Sequence, residues 1–233
     1  MVTNPYFIRA RLFPTVLTAI PLLIFANKLL TTFLYDTLKA IYDVLPLLSS
    51  LGLSAALLFL SIQLNRLVAK EIFQKLYFKD ELQMPTTIHL LWKDSFFDDT
   101  IKEKIRLKIH QLFGILLMNP PDESSNEEKS KKQIVTAVSQ IRNSLRGNKL
   151  LFQHNIEYGF FRNLIGGSAI AILFSVALIV LGYFQKEKPT IITGTVLLII
   201  YLLPIFFSLT LIRRFGNYYS KILYEQFLTI KHE

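Results

Sequence analysis

Cysteine is absent from this chain. Its absence excludes disulfides, thiolate zinc sites, thiolate-ligated iron–sulfur clusters and a cysteine nucleophile together. Charge is scarce too: 18% of the residues are Asp, Glu, Lys or Arg, against about 25% in an ordinary soluble domain. The four histidines, His89, His110, His154 and His232, stand at no zinc-ligand spacing. No G-x-S-x-G elbow or phosphate-cradling glycine loop occurs. Arg106 with His110, and Arg146 with His154, both miss the spacing of an Arg–His ribonuclease motif. Accordingly no catalytic residue, metal ligand or cofactor is expected.

Apolar residues are plentiful. They make up 52% of the chain, with 19 Phe and 10 Tyr and a mean hydropathy of +0.39, which excludes a disordered polymer. They come in blocks. Residues 44–65, 164–184 and 191–212 are uncharged over 22, 21 and 22 positions, each enough to cross a hydrocarbon core about 30 Å thick. A fourth stretch, 12–34, carries one charge, Lys28, and two prolines, Pro14 and Pro21. No small-x-small cleavage site follows it, so it reads as a retained span.

Lys and Arg set the expected orientation. Arg9 and Arg11 precede the first span; Arg66, Lys70, Lys75 and Lys79 follow the second; Arg162 precedes the third; Arg213, Arg214 and Lys221 follow the fourth. The opposite side holds Lys39, Lys186, Lys188 and Lys28 near its edge. The expected protein is all-α and polytopic, in a bacterial inner membrane, with both termini and residues 66–163 cytosolic. Its expected parts are a first transmembrane hairpin (1–66), a cytosolic helical module (67–163), a second hairpin (164–212) and an amphipathic tail (213–233).

Within the module the periodicity is helical. Val68, Ile72, Phe73, Leu76 and Tyr77 predict that the second span continues into the cytosol. Thr100 with Glu103 predicts a capping box for a helix whose buried stripe is Ile101, Ile105, Ile109, Leu112 and Leu116, ended by Asn119-Pro120-Pro121. Residues 122–132 read as a polar loop tip with two overlapping caps, Ser124–Glu127 and Ser125–Glu128. A helix with Ile134, Val138, Ile141 and Leu145 on one face follows, closed by Gly147-Asn148. In the tail, Phe215, Tyr219, Ile222, Leu223 and Phe227 share a face that should pack on the cytosolic helices or lie on the membrane.

Gly167, Ala171 and Ser175 recur every four residues on the third span, as do Gly52 and Ala56 on the second. Such rows allow close helix packing, within one protomer or between copies. At the cytosolic mouth of the third span, residues 155–164 read Asn-Ile-Glu-Tyr-Gly-Phe-Phe-Arg-Asn-Leu. Aromatic and Arg residues there serve as interfacial anchors. The sharper reading joins Asn155, Glu157, Tyr158, Arg162 and Asn163 to the Pro85-Thr86-Thr87 turn as a site at the membrane face. Basic flanks favour anionic headgroups, and Lys102, Lys104, Arg106 and Lys108 offer a nucleic-acid contact interrupted by Glu103.

Three stretches carry a resemblance: Asn4-Pro5-Tyr6 with Arg9-Ala10-Arg11-Leu12-Phe13-Pro14; Pro85-Thr86-Thr87 with Leu90-Leu91 and Asp94; and residues 155–164. Together they resemble an uncharacterised family of bacterial four-helix integral membrane proteins. This chain departs from that pattern at Glu81-Leu82-Gln83-Met84, where glycines are usual, and at His89 and Phe161, where Arg is. The resemblance implies architecture and cytosolic motifs, and no activity. The leading functional expectation is a non-catalytic, oligomeric membrane protein. It would receive a cytosolic signal, or a protein or nucleic-acid partner through residues 66–163, as a membrane effector or accessory in bacterial defence does, for instance alongside an RNA-guided nuclease. The alternatives are a channel or small-solute transporter subunit lined by Gln63, Asn65, Thr193 and Thr195, and a lipid-modifying enzyme built from Asp94, Asp98, His154 and Glu157.

Overall fold

The computed structural model describes residues 4–30 and 46–230. The expected last turn of the first span, the start of the second at Val44, and Lys39 and His232 lie outside the described residues. Among those described, every regular element is helical. Lys149–Phe184 and Lys188–Phe206 are long and apolar enough to cross a membrane, and Phe7–Thr18 with Ile20–Leu29, bent by 47°, makes a third span if counted as one. Two or three such helices are therefore present, against the four expected. Pro46–Val68 is a further helix of 23 residues.

Two compact units divide the chain: Met1–Phe73 with Gly159–Leu209, and Gln74–Tyr158 with Thr210–Glu233. The first holds the long apolar helices. Prolines punctuate it, each for a local reason. Pro21 and Pro189 lie in the first turns of their helices, where a missing N–H costs least. Pro204 lies inside Lys188–Phe206, just before the helix breaks at Phe207.

The second unit has its own core, formed by Leu90, Leu91, Phe97, Ile105, Ile109, Ile134, Val138 and Ile141 with Leu223, Tyr224 and Phe227 of the tail. Each such side chain contributes about 1.5–3 kcal/mol on burial. The alternatives left open for the tail are thus resolved: its apolar face packs on the helices of this unit. Lys108 secures it further, its Nζ donating to the carbonyls of Leu228, at 2.9 Å, and Ile230, beyond the end of Ser208–Thr229.

Several local expectations need correction. The Asp99–Phe113 helix starts at a backbone cap, Asp98, so Thr100 lies inside it and the Thr100–Glu103 box does not form. It stops at Gly114, whose φ of 66° is the left-handed conformation glycine adopts freely. Leu116, past that stop, is therefore exposed rather than on the buried stripe. Asn119-Pro120-Pro121 starts a short helix, Pro120–Ser125, and Asn126, not Ser124 or Ser125, caps Glu127–Ser144. The expected continuation of the helix past Val68 is present, to Phe78, but it passes through a π-helical segment, Ala69–Gln74. The wider turn rotates the side chains, leaving Ile72 and Leu76 exposed and Phe78 buried.

One buried charge pair ties the second unit together. Glu123 accepts from Arg106 Nη2 at 2.9 Å, from the Trp92 backbone N–H at 2.6 Å and from Ser130 Oγ at 2.9 Å. Arg106 also donates to the carbonyls of Leu90 and Met118, both at 2.7 Å, and its guanidinium covers the Trp92 ring at 4.5 Å. Removing one member leaves the other charged and buried, so Glu123→Ala should cost about 3–5 kcal/mol. Adding Arg106→Met should recover part of that loss. Denaturant unfolding followed by fluorescence of Trp92, the single tryptophan, measures both, and equal midpoints for Glu123→Ala and the wild type would refute the pin.

Candidate functional site

In the second unit Pro85, Thr86 and Thr87 are buried. They sit in a short helix, Pro85–Ile88, entered through Met84 in extended conformation. Neighbouring elements grip this segment through polar contacts. The Tyr224 hydroxyl donates to the Thr86 carbonyl, Arg142 Nη2 reaches Thr86 Oγ1 at 3.5 Å, and Thr87 Oγ1 donates to the Glu81 carbonyl at 2.8 Å. Full burial raises the Tyr224 pKa against the opposing fields of Arg142 and Arg106, so the hydroxyl stays a proton donor. His89, four residues on from Pro85, meets Ser220 Oγ at 3.0 Å and stacks on Phe96 with centroids 3.7 Å apart. Gly216 lets the tail helix approach Pro85, since a Cβ there would stand 3.2 Å from the proline ring. The Pro-Thr-Thr turn is thus a seat for the tail helix.

Asn155, Glu157 and Tyr158 are partly buried in the same unit. Glu157 engages its own helix, with His154 Nδ1 at 3.3 Å and Gln153 Nε2 at 3.2 Å. Asp94 Oδ1 accepts from the Phe96 N–H at 3.0 Å in a local turn. Among the described residues no three His, Asp or Glu side chains converge to hold a metal ion. The basic run faces largely inward: Lys102 is 1% exposed and donates to the carbonyls of Trp92 and Asp94 and to Asp99 Oδ1, Arg106 serves Glu123, and Lys108 meets the end of the tail. Lys104 alone of the four is exposed.

Arg162 and Asn163 belong to the first unit, where Asn163 has a structural partner. Pro14 offers no N–H to the carbonyls of the preceding turn, and Asn163 Nδ2 donates to one of them, Ala10 O, at 2.6 Å. Pro21 likewise cannot bond the carbonyl four residues back, Leu17 O, and the Tyr201 hydroxyl donates to it at 2.5 Å. Between the two prolines Asn65 Nδ2 donates to Thr15 Oγ1 at 3.2 Å and Thr18 Oγ1 at 3.0 Å, all three residues being buried.

Small residues make the approach possible. A Cβ on Gly159 would fall 2.9 Å from the Tyr6 hydroxyl and 3.1 Å from Ala10 Cβ. One on Gly166 would strike Asn65 and Ala69, and one on Gly167 would strike Thr18 and Asn65. Two of the three stretches behind the family resemblance therefore interlock: Tyr6 and Ala10 of the first against Gly159 and Asn163 of the third. The Gly167–Ala171–Ser175 row is buried within the chain, whereas Gly52 and Ala56 are exposed among the described residues. Of the expected pore lining, Gln63, Thr193 and Thr195 are exposed and Asn65 bonds Thr15 and Thr18. Glu123 and Tyr201 escaped the sequence reading. A proline four residues after a leucine in an apolar span was the signal for a missing donor, but not for which hydroxyl supplies it.

No family model, curated protein or solved structure matches the chain.

Two outcomes follow. Tyr201→Phe should lower thermal stability in detergent by about 1 kcal/mol. The loss should shrink in a Pro21→Ala background, where residue 21 regains an N–H for Leu17; an unchanged loss would refute the pairing. For His89, burial lowers the pKa from 6.5 to about 4, opposed by Asp94. An unfolded histidine binds its proton below about 6.5, so stability should be full above that pH and fall as pH drops toward 4, by up to about 3 kcal/mol. His89→Gln should flatten this slope in Trp92-monitored unfolding, and an unaltered slope would place its origin elsewhere.

Proposed function

We propose that the chain is a four-span bacterial inner-membrane protein, non-catalytic and oligomeric, whose cytosolic helical unit receives a signal or partner and acts through the membrane spans. The observation that carries this reading is the division of the chain into a unit of long apolar helices and a unit with a core of its own. In this reading Pro46–Val68 and the bent first pair complete the four spans. Its 23 residues cover about 34 Å at 1.5 Å each. The Lys and Arg flanks support a cytosolic position for both termini and residues 66–163.

Polar groups of the expected site support a mechanical role over a catalytic one. Thr86, Thr87 and Asn163 hold helices together through the bonds above. The exposed Gly52–Ala56 row supports association between copies, and the family resemblance supports the bacterial membrane setting. A defence effector, or a membrane accessory of an RNA-guided nuclease, is the role this combination fits. The channel reading has less support, because Asn65 is engaged with Thr15 and Thr18.

The test is purification in mild detergent with mass measurement, alongside ion flux and growth on expression. The expected result is a defined oligomer whose triggered expression alters flux or growth. A strict monomer that leaves both unchanged would overturn the reading.

A further inference from the structure

A cavity of about 420 Å³ opens in the first unit, lined by Ile24, Lys28, Leu178, Glu187, Pro189, Thr190 and Thr193. Its rim is charged. Lys28 Nζ lies 2.5 Å from Glu187 Oε2, and Thr190 Oγ1 donates to the same oxygen at 2.7 Å. Lys28 lies one residue before the end of Ile20–Leu29, and Glu187 caps Lys188–Phe206, in the short turn after Lys149–Phe184. The rim therefore stands where three apolar helices end, at the level of the headgroups. Ile24 and Leu178 lie about 6 and 9 Å deeper by helical rise from Lys28 and Phe184. They give the cavity an apolar floor.

We propose that this cavity binds the headgroup of a zwitterionic phospholipid with a primary ammonium, phosphatidylethanolamine being the simplest. Lys28 and the Thr190 and Thr193 hydroxyls receive the phosphate, Glu187 receives the ammonium, and the acyl chains leave over Ile24 and Leu178. Both rim charges are about one-third to two-fifths exposed, at 33% and 43%, where an ion pair adds little to stability. A phosphate and an ammonium inserted between them replace one weak pair by two, each with charge-assisted hydrogen bonds. The carboxylate supplies the selectivity. A primary ammonium donates N–H bonds to it, a choline group has none to donate, and an anionic glycerol headgroup meets it without a cation.

The inference rests on the membrane reading of the chain. Its test uses the full chain extracted from membranes into detergent, offered equal amounts of phosphatidylethanolamine, phosphatidylcholine and phosphatidylglycerol, with retained lipid weighed by native mass spectrometry. Phosphatidylethanolamine should be favoured about tenfold, the scale of one charge-assisted hydrogen bond. Glu187→Gln keeps the side-chain shape and should abolish the preference over phosphatidylglycerol. Lys28→Met should weaken retention of phosphatidylethanolamine, and Ile24→Trp, which fills the floor without touching a charge, should block it. Thermal melting of each variant in the same detergent shows that the fold persists. Equal retention of the three lipids, a preference unchanged in Glu187→Gln, or displacement by free phosphoethanolamine at the lipid's own concentration would overturn the proposal alone. A chain recovered from the soluble fraction would overturn the membrane reading and this proposal together.

Discussion

A carbonyl inside an apolar layer needs a donor, and a proline one turn later withholds it. Leaving such a group unbonded in hydrocarbon costs several kcal/mol, and water is not there to help. The first unit meets this constraint twice, with Asn163 Nδ2 on Ala10 O and the Tyr201 hydroxyl on Leu17 O. Both donors come from helices far along the chain, so each repair also joins helices. Glycines at 159, 166 and 167 follow from this arrangement, because the donors reach only if the backbones approach closely. Asn65, bonded to Thr15 and Thr18, adds a polar contact in the stretch between Pro14 and Pro21.

The second unit applies the same rule to charge. Arg106, Lys102 and Lys108 direct their donors to Glu123 and to backbone carbonyls that loops and a helix end leave open. Residues 66–163 hold 16 Lys and Arg against 12 Asp and Glu, and this positive excess is consequently a poor measure of a basic surface. Lys104 is the one fully outward member of the run. The buried Pro-Thr-Thr turn, gripped by Tyr224 and Arg142, couples the tail helix to the rest of the unit. A change in the tail would therefore be felt at this turn.

Much of this was legible in the sequence, for physical reasons that differ by element. Uncharged runs above 20 residues announce apolar helices without reference to their neighbours, and the tail's apolar face at Leu223 and Phe227 announced burial. Helix ends were harder. Asp98 and Asn126 at the caps compete with the Thr-Glu and Ser-Glu pairs beside them, and Gly114 in the left-handed conformation stops its helix before Asn119-Pro120-Pro121 can. The apolar stripe past Val68 announced that the helix runs on, as it does to Phe78, but the π-helical Ala69–Gln74 segment leaves no pattern that a period of 3.6 can detect. As for the site, Asn163 was singled out as a polar group able to bind something, and what it binds is a backbone carbonyl. A donor for a proline-freed carbonyl and a donor for a ligand look alike in a sequence.

The first unit depends on the interlock of Tyr6 and Ala10 with Gly159 and Asn163 of the Lys149–Phe184 helix. With no native cysteine, it can be probed without background. An ideal Cβ at Gly159 lies 3.1 Å from Ala10 Cβ, within a small backbone adjustment of the roughly 3.5–4.5 Å that a disulfide requires. Ala10→Cys with Gly159→Cys, oxidised in native membranes, should give an intrachain crosslink in nearly every copy, read from the mobility of a chain cleaved between the two positions. Free thiols at both positions, or crosslinks only between separate chains, would contradict the interlock.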